Sequence, residues 1–282
     1  MDRIKIKDVN LLLLVVLMLT FAIMNPYSHI LILIMILAWA GSNGLKLRDF
    51  LNFNKPKASI VLFSVLIGVL LALMNFCNHF YFRSDIELLK DSKSSLSALW
   101  FLLTSCVFGS FVEELFFRGL LYNFYKRKGI FIAIVLSSGL FSMLHFDVYR
   151  IVMLFIIGVF FALLYEITQC FWILVLVHGS INGINILLEL QPIAGFLKEF
   201  LSRLHEDNAE LFRIKLLSIL IALCILAILV MFLVMRIVGN NIFEGKNIKD
   251  FILINRNDGE PLIDKNFALV FFICVSLIVW VA

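Results

Sequence analysis

The sequence predicts an all-α fold: a polytopic membrane bundle of about eight or nine transmembrane helices. The 282 residues are 62% hydrophobic and only 16% charged, and the mean hydropathy is +1.02. Soluble domains are about half apolar and about a quarter charged. No long polar stretch interrupts the apolar runs, so no separate soluble domain is predicted.

Apolar runs long enough to cross a bilayer, about 20 residues each, follow one another along the chain. The second run is short and follows Asn25-Pro26, so the first two form a tight hairpin or one is partly re-entrant. No small-residue cleavage site precedes the second run, so we interpret the first as a retained span. The predicted spans are 9–25, 27–42, 58–79, 97–125, 129–146, 148–167, 170–189, 213–238 and 266–282.

The loop charges predict a cytoplasmic N-terminus and a multi-pass protein of the cell membrane. Lys and Arg are enriched in cytoplasmic loops. Because successive spans cross the membrane in opposite directions, four basic segments fall on the same side. They are the N-terminus and the loops after spans two, four and eight. The opposite loops, 80–96 and 190–212, are mixed or acidic. This bias accounts for the net charge of +4, so no nucleic-acid partner is predicted.

The chain divides by content into three segments. Residues 1–96 hold N-terminal transmembrane helices, and 97–190 hold the polar motifs described below. Residues 191–282 hold the C-terminal helices, preceded by a segment at 194–212 whose apolar spacing predicts an amphipathic helix on the outer surface. The five cysteines lie far apart without a C-x-x-C pair, so neither a zinc knuckle nor a disulfide framework is predicted.

Two adjacent carboxylates and an arginine occur inside the fourth apolar run, in Phe111-Val-Glu-Glu-Leu-Phe-Phe-Arg118. Charges at bilayer depth are costly and rarely occur without a partner or a function. Glu114 and Arg118 are four residues apart, so they share a helix face and can pair. Glu113 is rotated by about 100° around the helix axis from Glu114, so it does not pair with Arg118 and its carboxylate is left for chemistry. The alternative is that both glutamates belong to a structural ion-pair network.

Three more polar residues occur in later spans. His178 and Asn182 share a helix face, and the glycines beside them permit close approach of another helix or of a substrate backbone. The alternative for this pair is a hydrogen bond between helices. His145 ends the fifth span, a position that by itself is more typical of an interfacial histidine.

The depths of these residues indicate that they can meet. At 1.5 Å per residue, Glu113 and His145 lie about 20 and 24 Å from the cytoplasmic ends of their spans. His178 and Asn182 lie about 12 and 18 Å from the start of span seven. All four therefore fall in one broad layer within the membrane.

Carboxylate, imidazole and amide together suit hydrolysis. Glu113 can take a proton from water, and His145 can orient that water or share its proton. His178 and Asn182 can donate hydrogen bonds to a developing oxyanion. A zinc ion held by Glu113, His145 and His178 is an alternative, although the H-E-x-x-H signature is absent.

The three motifs resemble those of a known family. Glu113-Glu114-x-x-x-Arg118, Phe141-x-x-x-His145 and His178-x-x-x-Asn182 are similar to the motifs of the CAAX protease and bacteriocin-processing (CPBP, Abi-type) family of intramembrane endopeptidases. This family includes the CAAX prenyl endopeptidase. The resemblance covers roughly residues 97–190, about a third of the chain.

The resemblance implies roles for the motif residues. Glu113 and His145 would activate water, His178 and Asn182 would form the oxyanion hole, and Glu114 and Arg118 would orient the site. The partners implied are membrane lipid and a membrane-associated peptide or protein, such as a prenylated CAAX-type peptide, a pheromone or a bacteriocin leader. Both metal-dependent and glutamate-type mechanisms have been assigned to the family; we favour the mechanism without a cofactor and keep zinc as the alternative.

Two other functions compete with proteolysis. Relatives can serve as non-catalytic membrane scaffolds, such as a bacteriocin self-immunity protein or a regulator of a sensor kinase. Complete motifs argue against that function here. A transporter could use the glutamates and histidines as a proton path, but the sequence shows no repeat of broken helices.

Overall fold

The computed structural model describes residues 5–23, 28–46, 48, 51–83, 102–189, 199, 209–239 and 264–281. These residues form helices and no strands, with an isolated bridge between Phe53 and Cys170. The helices are α1 (Ile6–Ile23), α2 (Ser28–Ser42), α3 (Ala58–Arg83), α4 (102–128), α5 (Ile130–Met143), α6 (Ile151–Thr168), α7 (Phe171–Glu189), α8 (Ala209–Val238) and α9 (Lys265–Val281). The predicted all-α class is confirmed.

Helix α4 has a mixed backbone. Leu102–Gly109 and Leu115–Tyr122 are π-helical, and the α-helical turn Ser110–Glu114 lies between them. The helix ends in the α-helical Asn123–Tyr125 and the 3₁₀ turn Lys126–Lys128. π-Helical turns are rare and often occur at functional sites. Both glutamates of the first motif are therefore in the short α-helical turn between two π-helical stretches.

The helices support a multi-pass membrane protein. Each predicted span coincides with one of the described helices. Four stretches are long and apolar enough to cross a bilayer: Ala58–Phe82, Ile151–Thr168, Phe171–Leu188 and Glu210–Val238. His29–Ser42, Ile130–Met143 and Lys265–Ser276 are apolar but shorter. Only the described residues contribute to these two groups, and the number of spans stays a prediction.

The chain forms two compact units. The first comprises Met1–Pro56, Phe111–Leu174 and Val238–Ala282, and the second comprises Lys57–Ser110 and Val175–Ile237. Two of the four unit boundaries fall within α4 and α7. The division of the sequence into segments 1–96, 97–190 and 191–282 stays a prediction.

A polar network joins three helices of the first unit. The buried amide of Asn10 on α1 donates to Asp264 Oδ1 at 3.0 Å, just before α9. The hydroxyl of Tyr125, near the end of α4, donates to Asn10 Oδ1 at 2.8 Å. The loop charges predict that all three positions lie near the cytoplasmic side, so this contact agrees with the predicted alternation of spans. Which side faces the cytoplasm stays a prediction.

A second network ties α4 to α6 in the same unit. The Lys126 ammonium lies 2.6 Å from the buried Glu166 carboxylate, and the Tyr122 hydroxyl donates to the same carboxylate at 2.9 Å. Helices α5 and α6 approach closely, because a Cβ built on Gly158 would lie 2.9 Å from Ser138 Cβ. The two contacts with Glu166 join the second half of α4 to α6.

In the second unit, α3 and α8 pack through a small apolar cluster of Cys77, Phe80, Phe212 and Leu216. The predicted amphipathic helix at 194–212 lies outside the described residues, apart from Glu199 and the first turn of α8.

Candidate active site

A cavity of about 190 Å³ lies within the first unit. Helices α1, α2 and α4 and the end of α5 supply its walls. It is lined by Val16, His29, Ile32, Val112, Glu113, Phe116, Phe117, Leu144 and His145. The walls are mostly apolar, and the polar side chains are one carboxylate and two imidazoles. The structure therefore brings Glu113 and His145, from two different motifs, to one cavity.

Glu113 contacts a histidine that the sequence analysis did not single out. Its Oε1 lies 3.1 Å from Nε2 of His29 in the first turn of α2. The Glu113 side chain is 24% exposed and lines the cavity. A signal existed in the sequence: at 1.5 Å per residue, His29 lies about 20 Å from the far end of α2, a depth similar to that of Glu113.

The end of α5 determines how His145 presents its ring. Phe146 has a positive φ of 49° and ends the helical turn. The backbone N–H of His145 donates to Ser142 O, and its ring Nδ1 lies 2.7 Å from Phe141 O. A carbonyl oxygen only accepts, so Nδ1 carries the hydrogen. Nε2 of the neutral ring is then an acceptor, which is the form required to orient a water or receive a proton.

Glu114 lies in a sealed environment. Arg118 Nη1 lies 3.3 Å from Glu114 Oε1, and both side chains are fully buried. Arg118 also donates to Gly158 O on α6 at 3.1 Å. Its guanidinium carbon lies 5.7, 4.8 and 5.1 Å from the ring centroids of Phe117, Phe141 and Phe161. The pair expected from the spacing is present and ties α4 to α6.

The third motif belongs to the second unit. His178 on α7 is buried, with 5% of its surface exposed. The Asn182 amide donates to Ser105 O at 3.1 Å and to Ser110 Oγ at 3.2 Å. Ser110 Oγ donates to Ser105 O at 3.1 Å, which closes a triangle of hydrogen bonds. The convergence of His178 and Asn182 with Glu113 and His145 stays a prediction.

Gly179 explains how α7 reaches the first π-helical stretch of α4. A Cβ at this position would clash with the backbone oxygen of Cys106, so no side chain fits there. The glycine next to the motif histidine therefore serves close helix packing, one of the two functions expected from the sequence.

The residues described by the structure do not form a metal site. Around the cavity, Glu113, His29 and His145 are the candidate ligands. Among all described residues, no group of three or more His, Cys, Asp or Glu side chains is arranged to hold a metal ion.

Comparison with known proteins finds a family match over the segment that holds the three motifs. Residues 95–184 match the family model described as type II CAAX prenyl endopeptidase Rce1-like. The match includes all three motifs. The family resemblance is confirmed over this segment. Helices α1 and α2, which supply part of the cavity wall, lie outside the Rce1-like match.

One curated relative is similar over about a third of the chain. A Bacillus subtilis (strain 168) protein named "Putative membrane peptidase YdiL" is 26% identical over 99 residues. The alignment spans 35% of this chain and 41% of the relative. No solved structure matches the chain significantly. Both matches are to proteins described as peptidases, and the alignment covers less than half of the curated relative.

Proposed function

We propose that the protein is an intramembrane endopeptidase that hydrolyses a peptide bond of a membrane-associated peptide or protein. The observation that carries the proposal is the cavity shared by Glu113 and His145, in which the His145 tautomer leaves Nε2 as an acceptor. The Rce1-like match of residues 95–184 supports it independently.

The proposed reaction needs one water and no covalent intermediate. Glu113 takes a proton from the water while His145 Nε2 accepts its other hydrogen, so the oxygen is oriented and activated. The oxygen attacks the carbonyl carbon of the scissile amide, and negative charge develops on the carbonyl oxygen. Glu113 then delivers its proton to the amide nitrogen as the C–N bond breaks, which releases a carboxylic acid and an amine.

The family resemblance adds His178 and Asn182 as donors to the oxyanion. The Asn182 amide nitrogen already donates to Ser105 O and to Ser110 Oγ. A negatively charged oxygen is a stronger acceptor than a serine hydroxyl. One N–H is therefore expected to exchange from Ser110 to the oxyanion as the tetrahedral intermediate forms.

The apolar lining of the cavity supports a hydrophobic substrate. Val16, Ile32, Phe116, Phe117 and Leu144 offer no hydrogen bonds from their side chains. Such walls favour apolar side chains beside the cleaved bond. Prenylated CAAX-type peptides, peptide pheromones and bacteriocin leaders are the candidate substrates to be compared.

The test is a peptidomic comparison of cells that produce the wild-type protein and cells that produce Glu113→Ala. We expect a set of peptides that appears only with the wild type. Glu210→Ala, at the exposed start of α8, is the matched control and should resemble the wild type. Identical peptides in all three strains, or a cellular phenotype that survives Glu113→Gln, His145→Ala and His178→Ala alike, would contradict proteolysis and indicate a scaffold.

Chelation distinguishes the two mechanisms. The purified protein is treated with 1,10-phenanthroline, dialysed and assayed on a peptide identified in the comparison. The glutamate-type mechanism predicts unchanged turnover. Lost turnover that zinc restores would instead support a site formed by Glu113, His145 and His178.

A further inference from the structure

His29 Nε2 lies 3.1 Å from Glu113 Oε1, and His29 lies outside the Rce1-like match. We propose that His29 is a positioning residue, which holds the Glu113 carboxylate in the orientation needed to accept a proton from water. This inference rests on the proposed function of Glu113.

The hydrogen bond has a defined direction. The proposed function requires Glu113 to be ionised, and an ionised carboxylate only accepts; Nε2 of His29 then carries the hydrogen and donates it to Oε1 over 3.1 Å. The two side chains are 26% and 24% exposed, so the bond is partly shielded from water. A glutamate side chain has several rotatable bonds, and a donor on one oxygen restricts them. The carboxylate has about four lone-pair sites, so one donor on Oε1 leaves others that can accept from a water.

The two histidines of the cavity differ in hydrogen bonding: one offers a donor and the other an acceptor. His29 directs an N–H towards the carboxylate, whereas His145 uses its N–H on Phe141 O and keeps Nε2 as an acceptor. An attacking water has two hydrogens and needs two acceptors, which Glu113 and His145 can supply. His29 already donates from Nε2, so it suits support of the base and does not suit contact with the water.

Helix α2 is held along α4 at two levels. Near its start, His29 bonds to Glu113, and ten residues later Trp39 packs edge-on against Phe124, with ring centroids 6.1 Å apart. Both contacts advance in the same direction along the two helices. Ile32, one turn after His29, also lines the cavity. The position of His29 is therefore set by packing along α2 and does not depend on its own bond alone.

The test compares two replacements of the same side chain. His29→Phe keeps an aromatic ring without a donor, and His29→Gln keeps an N–H donor without the ring. The probe is a fluorescence-quenched peptide that ends in a farnesylated CAAX box, with the purified protein in liposomes. His79→Phe is the matched control, because His79 lies on α3 and does not line the cavity. Thermal unfolding is recorded for each variant, and His29→Leu replaces His29→Phe if the latter does not fold.

We expect His29→Phe to lower kcat about 10- to 100-fold with little change in KM, since misplacement of a catalytic group by about 1 Å costs up to about 100-fold. His29→Gln should recover most of kcat, and His79→Phe should match the wild type. Wild-type kcat in His29→Phe, or equal losses in His29→Phe and His29→Gln, would overturn the positioning role. If Glu113→Gln keeps full activity, the proposed function fails instead.

A second measurement does not require cleavage of the probe. The infrared difference between the wild type and Glu113→Gln isolates the carboxylate bands of Glu113. In His29→Phe, loss of the donor to Oε1 should shift these bands. In His29→Gln, the retained N–H donor should return them part of the way to their wild-type frequency. Bands that stay at the wild-type frequency in His29→Phe would show that the hydrogen bond is absent and would overturn the proposal.

Discussion

Glu113 and Glu114 are adjacent in the chain, yet their surroundings differ completely. Glu113 is 24% exposed and faces a cavity together with two histidines. Glu114 is fully buried against Arg118, which is enclosed by aromatic rings and bonds to Gly158 O. A carboxylate at bilayer depth can thus be retained for two reasons. One carboxylate is accessible for chemistry, and its neighbour compensates a buried cation.

Under the proposed function, activity depends on the cavity, and stability depends on the sealed pair. A buried ion pair gains little over apolar packing, but removal of one partner leaves a charge in a medium that solvates it poorly. An accessible carboxylate carries no such penalty, because water can solvate it. Substitutions in the two regions should therefore affect different measurements.

Replacement of Glu113 should produce the largest effect, on activity. Glu113→Gln keeps the shape of the side chain but cannot accept the proton from water, so turnover should fall by a factor of about 10²–10⁴. The thermal unfolding temperature should stay near that of the wild type, since no buried charge is left without compensation. Turnover is measured by steady-state cleavage of a peptide from the peptidomic comparison, and the unfolding temperature is measured by a melting curve in detergent.

Replacement of Arg118 should affect stability. Arg118→Ala leaves Glu114 buried without its cation, which costs about 3–5 kcal/mol in the free energy of unfolding. Arg127→Ala is the control: its guanidinium lies 4.4 Å from the Phe124 ring centroid, and loss of such a contact costs about 1 kcal/mol. Normal yield and melting of Arg118→Ala would show that the sealed pair is not structural and would remove the contrast with Glu113.

The third motif extends the comparison to the second unit. Asn182→Ala removes a donor to the oxyanion and should lower turnover by a factor of about 10²–10³. Ser110→Ala removes a partner of the same amide and leaves the donor intact, so it should retain much more activity. The test is to measure the turnover of both variants on the same peptide. Equal losses would indicate that the hydrogen-bond triangle is purely structural.

The smallest expected effect concerns the packing beneath the sealed pair. Gly158→Ala places a Cβ 2.9 Å from Ser138 Cβ, an overpacking that costs about 1–3 kcal/mol. Gly139→Ala, on α5, meets nothing within 4 Å and should be neutral or stabilising by up to about 1 kcal/mol. Melting curves of the two variants provide the comparison. A stable Gly158→Ala would show that α5 and α6 can separate without loss of the Arg118 contact.

Several features of the fold and the site could be predicted from the sequence because they depend on nearby residues or on the solvent. A bilayer leaves no water for backbone groups, so long apolar runs must be helices. The Glu114–Arg118 pair follows from a spacing of four residues on one helix. Gly179 was expected to permit a close approach, and it lies against the Cys106 backbone.

Other features were decided only by the tertiary structure. Hydropathy and the rise per residue indicate how deep a side chain lies, but they do not indicate which face of which helix it meets. His29 and Glu113 are 84 residues apart in the chain, and their contact depends on how α2 packs along α4. The His145 tautomer depends on where α5 ends, and the Asn182 bonds depend on the π-helical backbone of α4. Local periodicity carries no information on such contacts, because they arise from packing between distant segments.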